Sequence, residues 1–78
     1  MSSFPTLPEQ GDVLIQPGAD PSGLYHVGIV SGGLQLVCAT YDEAVWRASL
    51  LAQKGRVNTW YTEDHIEFRL MSSFRRVA

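Results

Sequence analysis

A single cysteine, Cys38, stands among 78 residues, so no internal disulfide can staple the fold and stability must come from the core. Long apolar runs are missing as well: no window approaches the roughly 20 residues that a membrane-spanning helix requires. The opening stretch, MSSFPTLPEQ, has neither a basic nor an apolar block. That argues against a secretory signal and makes the cytoplasm the expected address, with no membrane partner. Charge is scarce and nearly balanced. Six basic against eight acidic residues give a formal charge of -2 and a pI near 5.5, which supplies no long-range attraction for a phosphate backbone or an anionic bilayer.

What is present describes an ordinary globular chain. Hydrophobic residues make up 45% and charged ones 18%, a balance that supports a core and excludes disorder driven by charge. The length suffices for one domain, and domains of this size bury only about 60% of the surface that their unfolded chains expose. Association is a natural way to add to so thin a margin. The charges are also unevenly placed: Glu9, Asp12, Asp20, Asp42 and Glu43 all precede the first basic residue, Arg47. The second half sets Arg47, Lys54, Arg56, Arg69, Arg75 and Arg76 against Glu63, Asp64 and Glu67.

Residues 1–11 carry Pro5 and Pro8 among small and polar side chains, which predicts a flexible tail. Residues 12–16 (DVLIQ), bounded by Gly11 and by Pro17 with Gly18, read as a leading or edge strand, and Asp20, Pro21, Ser22 and Gly23 supply turn chemistry. In residues 24–30 (LYHVGIV) Tyr25, Val27 and Ile29 alternate with His26 and Gly28, the period of a half-buried strand. Ser31, Gly32 and Gly33 then predict a tight hairpin turn into residues 34–39 (LQLVCA), with the paired glycines taking positive φ. That second strand is apolar on both sides, so periodicity does not assign its faces.

Thr40 with Glu43 forms a capping box. Asp42 and Glu43 lie at the positive end of the helix dipole and Lys54 near the negative end, and Gly55 suits the left-handed residue that ends a helix. Ala44, Val45, Ala48, Leu51 and Ala52 make an apolar stripe, widened by Trp46 and Leu50, whose alanines permit close approach to a sheet. Residues 57–61 (VNTWY) and 66–70 (IEFRL) read as a final strand pair, with Ile66, Phe68 and Leu70 inward and Thr62, Glu63, Asp64 and His65 at the turn. The predicted fold is therefore α+β: a small, mostly antiparallel sheet of 4 to 5 strands in the order β-β-β-α-β-β, with one amphipathic helix on one face. The domain spans 12–71 and a second tail covers 72–78.

The stretches VLIQP, LYHVGIV, TYDEAVWRASLLA and VNTWYTEDHIEF resemble a family of short bacterial proteins known only as a domain of unknown function. In that family a leading strand ends near a proline, an aromatic-x-Val strand follows, and a Thr/Asp-x-x-Glu-Ala helix start precedes a final strand pair. The resemblance covers most of residues 13–68 and implies the fold, but the family has no assigned activity to carry over. Its final turn commonly holds a glycine, where this chain has Glu63, Asp64 and His65.

No residue set meets the needs of a catalytic, metal or cofactor site. Cys38, His26 and His65 are the residue types of a cysteine enzyme, yet a lone cysteine in an apolar strand is more often a small buried hydrophobe. Glu63, Asp64, His65 and Glu67 lack the second histidine or cysteine pair of a metal centre. Ser31, Gly32 and Gly33 lead into a strand, not the helix of a phosphate loop. Nucleic acid binding finds a candidate basic patch in Arg56, Arg69, Arg75 and Arg76 beside Tyr25, Trp60 and Tyr61, against a negative net charge. Association with a second copy, or with another protein, fits better, because one helix covers one sheet face. Leu34, Leu36, Val37, Trp46 and Trp60 are the candidate interaction surface. The function expected from sequence is a non-enzymatic interaction module that self-associates through its sheet face. A nucleic-acid accessory protein is the alternative, and a small cysteine- or metal-dependent enzyme the third reading.

Overall fold

The helix begins where its capping chemistry requires. In a computed structural model, which describes residues 7–18 and 23–74, the Thr40 hydroxyl oxygen accepts from the Glu43 backbone N–H at 3.1 Å, and α1 (Tyr41–Gly55) follows. Three strands precede it, β1 (Val13–Pro17), β2 (Tyr25–Ile29) and β3 (Gly33–Cys38), and two follow, β4 (Asn58–Tyr61) and β5 (Arg69–Ser73). The expected order β-β-β-α-β-β is observed. Ala44, Ala48 and Ala52 are fully buried. Their small side chains let the helix lie close over Val13 and Ile15 of β1 and Val27 of β2, with Cys38 completing the cluster.

The five strands form one sheet in the spatial order β3-β2-β1-β4-β5. It is mixed, not the mostly antiparallel sheet suggested by the two hairpins. β1–β2, β2–β3 and β4–β5 pair antiparallel, whereas β1 and β4 pair parallel. The cause is the helix: β3 runs with β1, and a strand-helix-strand crossover returns the next strand in the same direction, so β4 must lie parallel to β1.

Several local expectations shift. The left-handed cap residue is Arg56 (φ 55°, ψ 48°), not Gly55, and its N–H bonds back to the carbonyls of Ala52 and Gln53. The stop signal thus fell one residue later than the glycine. A left-handed arginine costs about 1–2 kcal/mol relative to glycine in that conformation. Arg56→Gly is therefore expected to stabilise the domain by about 1 kcal/mol, a rise in Tm of about 4–8 °C by thermal circular dichroism. In the β2–β3 hairpin the positive φ values belong to Ser31 and Gly33, so one of the two paired glycines takes the expected conformation and Gly32 does not. Gly32 instead donates its N–H to Ile29 at 2.8 Å and closes the turn.

The last strand starts at Arg69, not Ile66, and continues to Ser73, so it takes in part of the expected tail. Ile66 is 77% exposed instead of inward. The backbone before β5 is held by side chains: Thr62 Oγ1 accepts from His65 N and donates to Glu67 O, while Asp64 Oδ1 accepts from Ile66 N and Glu67 N. These local bonds compete with strand pairing. At the other end, Glu9, Gly11 and Asp12 form a turn bonded to Val30. Residues 1–6 of the expected tail, Asp20, Pro21 and Ser22 of the expected turn, and residues 75–78 lie outside the described residues.

Candidate functional site: the open face of the sheet

Strand registers divide the side chains between two faces. Val13, Ile15, Val27, Leu36 and Cys38 belong to the cluster beneath the helix. Their alternates point away from it. Because Leu34 pairs with Gly28, Gly28 with Leu14, Leu14 with Trp60 and Trp60 with Leu70, one row crosses all five strands on the open face. A second row runs Val37, His26, Gln16.

The row is mostly apolar, and a β-bulge is responsible for part of it. Between Val27 and Gly28 the register slips, so that Leu36 faces Val27 while Leu34 faces Gly28 and Gln35 is extra. Strict alternation would put Leu34 with Leu36. The bulge places it instead with Val37 on the open face, where the two are 58% and 50% exposed. Bulges characteristically re-aim a side chain in this way. Gly28 interrupts the row between two leucines and leaves a hollow of about 180 Å³, bordered by Leu14, Gln16, His26 and Leu34. A Cβ at Gly28 would meet the Gly33 carbonyl oxygen at 3.1 Å, so the backbone of the hairpin leaves little room for a side chain there. Gln16 Oε1 is buried without a hydrogen-bond partner.

The far end of the row is closed. Trp60 is 1% exposed, and its indole N–H donates to Asp12 Oδ2 at 3.0 Å. The same carboxylate accepts from Glu9 N at 2.9 Å and, through Oδ1, from Asn58 N at 3.1 Å. Asp12 thereby ties the turn before β1 to the start of β4.

Of the five side chains named from sequence for an interaction surface, the structure brings together Leu34 and Val37. Leu36 packs toward the helix and Trp60 is buried. Trp46 stands on the outer side of the helix, 58% exposed, with the Arg47 guanidinium 5.1 Å from its ring centre. Leu14, Gln16, His26 and Gly28 join Leu34 and Val37 on the open face without a signal in the sequence. Only the strand register could have found them, since each is unremarkable within its own segment.

The other constellations do not assemble. Cys38 lies opposite Tyr25 and His26 opposite Val37, so thiol and imidazole occupy opposite faces of the sheet, and His65 sits in the loop before β5. Burial pushes the Cys38 thiol up, and the Glu43 carboxylate raises it further. Folded Cys38 is therefore expected to resist iodoacetamide at pH 8 and to react once the chain is unfolded in urea. A folded thiol raised above its ordinary 9.0 contributes stability that is complete below that value and is lost as pH climbs through the folded one. Tyr61, also raised by burial from 10.0, adds to the alkaline loss. The urea midpoint should fall above about pH 9.

Tyr25, Tyr41 and Tyr61 stack edge to face at 5.8 and 5.5 Å between ring centres, and Tyr25 and Tyr61 pack against the core, which occupies two of the aromatics that base stacking would need. Arg56 and Arg69 are exposed, at the helix end and on β5 respectively, and Arg75 and Arg76 lie outside the described residues. A recess of about 170 Å³ is lined by Tyr61, Thr62, Glu63, Asp64, Glu67, Phe68 and Arg69. The backbone N–H groups of Glu67 and Ile66 hold the Asp64 carboxyl below its ordinary range. Among the described residues no group of three or more His, Cys, Asp or Glu is placed to hold a metal ion, and no helix is long and apolar enough to cross a membrane.

No family model, curated protein or solved structure matches the chain. The resemblance to the bacterial family therefore rests on its sequence stretches alone.

Proposed function

We propose that this protein is a small cytoplasmic interaction module, non-enzymatic, that associates with a second copy of itself through the open face of its sheet. The observation that carries the reading is the row Leu34, Gly28, Leu14, with Val37 beside it, on the face the helix leaves bare. A sheet with one face in water normally alternates apolar-in with polar-out. Here the outward positions of the three strands on that side hold leucine, valine and glycine, and the polar members are Gln16 and His26. No acidic or basic side chain other than His26 stands in either row across β1 to β3, so two such faces can meet without like-charge repulsion.

The test is sedimentation velocity of the full chain from about 10 to about 500 µM, a range that brackets a weak dimer. The weight-average mass should rise with concentration. Leu34→Asp with Val37→Asp should hold it at the monomer value while the circular dichroism spectrum stays unchanged, because both positions are exposed. A wild-type chain that stays monomeric throughout would refute the proposal.

A further inference from the structure

From the register and the hollow we infer how the two copies meet: Leu34 of each inserts into the Gly28 hollow of the other, about a two-fold axis between the faces. This deepens the self-association reading and rests on it. The patch carries both halves of the contact. Leu34 is a protruding, 58% exposed side chain, and the position directly opposite it on β2 is Gly28, which has none. Knob and hole are neighbours on adjacent strands, about 4.8 Å apart. A two-fold axis that runs along the strands, midway between the faces and above the β2–β3 gap, exchanges the two strands. It sets β3 of one copy over β2 of the other, so each Leu34 stands above Gly28 of the second copy and each Val37 above its His26. This is the self-complementary patch that closed two-fold symmetry requires, and facing sheets pack about 10 Å apart with interdigitated side chains.

Three independent features converge on these two positions. The bulge at Gln35 spends a regular ladder pairing and turns Leu34 outward. Gly28 leaves about 180 Å³ unfilled between Leu14 and Leu34, a volume that an approaching leucine side chain can enter. The rows involved contain no acid and no lysine or arginine, which suits a like-with-like contact in a chain of formal charge -2. Only two strands of each copy overlap, less than the roughly 800 Å² per partner of a standard interface, so the association is weak and concentration-dependent.

The contact predicts an asymmetry that separates it from other modes of dimerisation. Leu34→Ala removes both knobs and keeps both holes, whereas Gly28→Ala narrows both holes and keeps both knobs. Each variant alone should weaken self-association by at least about 30-fold in sedimentation equilibrium, since each loses both contacts. An equimolar mixture pairs intact knobs with intact holes once per dimer. Labelled for fluorescence transfer, the mixture should associate more tightly than either variant alone and more weakly than wild type. Because a Cβ at Gly28 meets the Gly33 carbonyl oxygen at 3.1 Å, the fold of Gly28→Ala is checked by circular dichroism, and Leu14→Phe, which fills the same hollow from its β1 side, serves as a second plug. A wild type that dimerises while Leu34→Ala is unaffected, or a mixture no tighter than its components, overturns the knob-and-hole contact and leaves self-association standing. A monomeric wild type sinks both.

Discussion

Asp12→Ala is expected to cost about 3–5 kcal/mol, as large a loss as any single substitution in this chain should produce. The carboxylate is fully buried and accepts from Glu9 N, Asn58 N and Trp60 Nε1. Removing it orphans three donors in two segments, the turn before β1 and strand β4, and each buried donor left unpaired costs about 1–3 kcal/mol. Its effect is global because the backbone of the same residue joins the Glu9 turn to Val30, the residue that follows β2. Total stability for a domain of this length is about 4–12 kcal/mol at 0.05–0.15 kcal/mol per residue, so the variant should be largely unfolded at low urea. Asp12→Asn keeps the shape and one acceptor but turns an amide N–H₂ toward existing donors, and should cost about 2 kcal/mol. The measurement is urea unfolding followed by tryptophan emission in a Trp46→Phe background. Trp46 is solvent-exposed while Trp60 is 1% exposed, so the remaining signal reports on the Asp12 contact itself. A wild-type midpoint for Asp12→Ala would mean that water replaces the carboxylate at no cost.

That network also marks where one-dimensional reasoning stops. The helix was legible because its determinants are local: Thr40 and Glu43 lie three residues apart, and Ala44, Ala48 and Ala52 repeat with the helical period. The order of elements followed from the same kind of signal. Relations between distant segments did not. Asp12 and Trp60 are 48 residues apart, and nothing within DVLIQ or VNTWY announces that one accepts a hydrogen bond from the other. The parallel β1–β4 pair leaves no local trace, because hairpin signals report only neighbours in sequence, while the crossover that forces parallel pairing spans the whole helix. The candidate site was half legible for a similar reason. Leu34 and Val37 stand out as apolar residues in a strand without clear alternation, and that lack of alternation is the trace of the bulge. Leu14, Gly28, Gln16 and His26 acquire meaning only once registers set them side by side. The displaced last strand has a different cause: residues 66–70 alternate well, but Thr62 and Asp64 satisfy the backbone N–H groups of His65, Ile66 and Glu67 first, so pairing starts later.

Ala48→Leu should cost about 3 kcal/mol, although leucine is nearly as good a helix former as alanine. Ala48 is the middle of three alanines with no exposed surface, and beneath the helix lie Val13, Ile15 and Val27, themselves at 0–1% exposure. The added carbons point into these buried side chains, so the helix must lift or the sheet residues must leave their rotamers, and overpacking of this kind typically costs about 1–3 kcal/mol. Lifting the helix would also expose Cys38, which belongs to the same cluster. The urea midpoint should therefore drop together with a faster reaction of the thiol with iodoacetamide. Trp46→Ala, two positions earlier on the solvent side, should stay within about 0.5 kcal/mol of wild type despite deleting one of the two tryptophan side chains. The contrast isolates distance from the sheet as the controlling variable. If Ala48→Leu kept wild-type stability and an unreactive Cys38, the helix would not be seated at the close separation that its three alanines define.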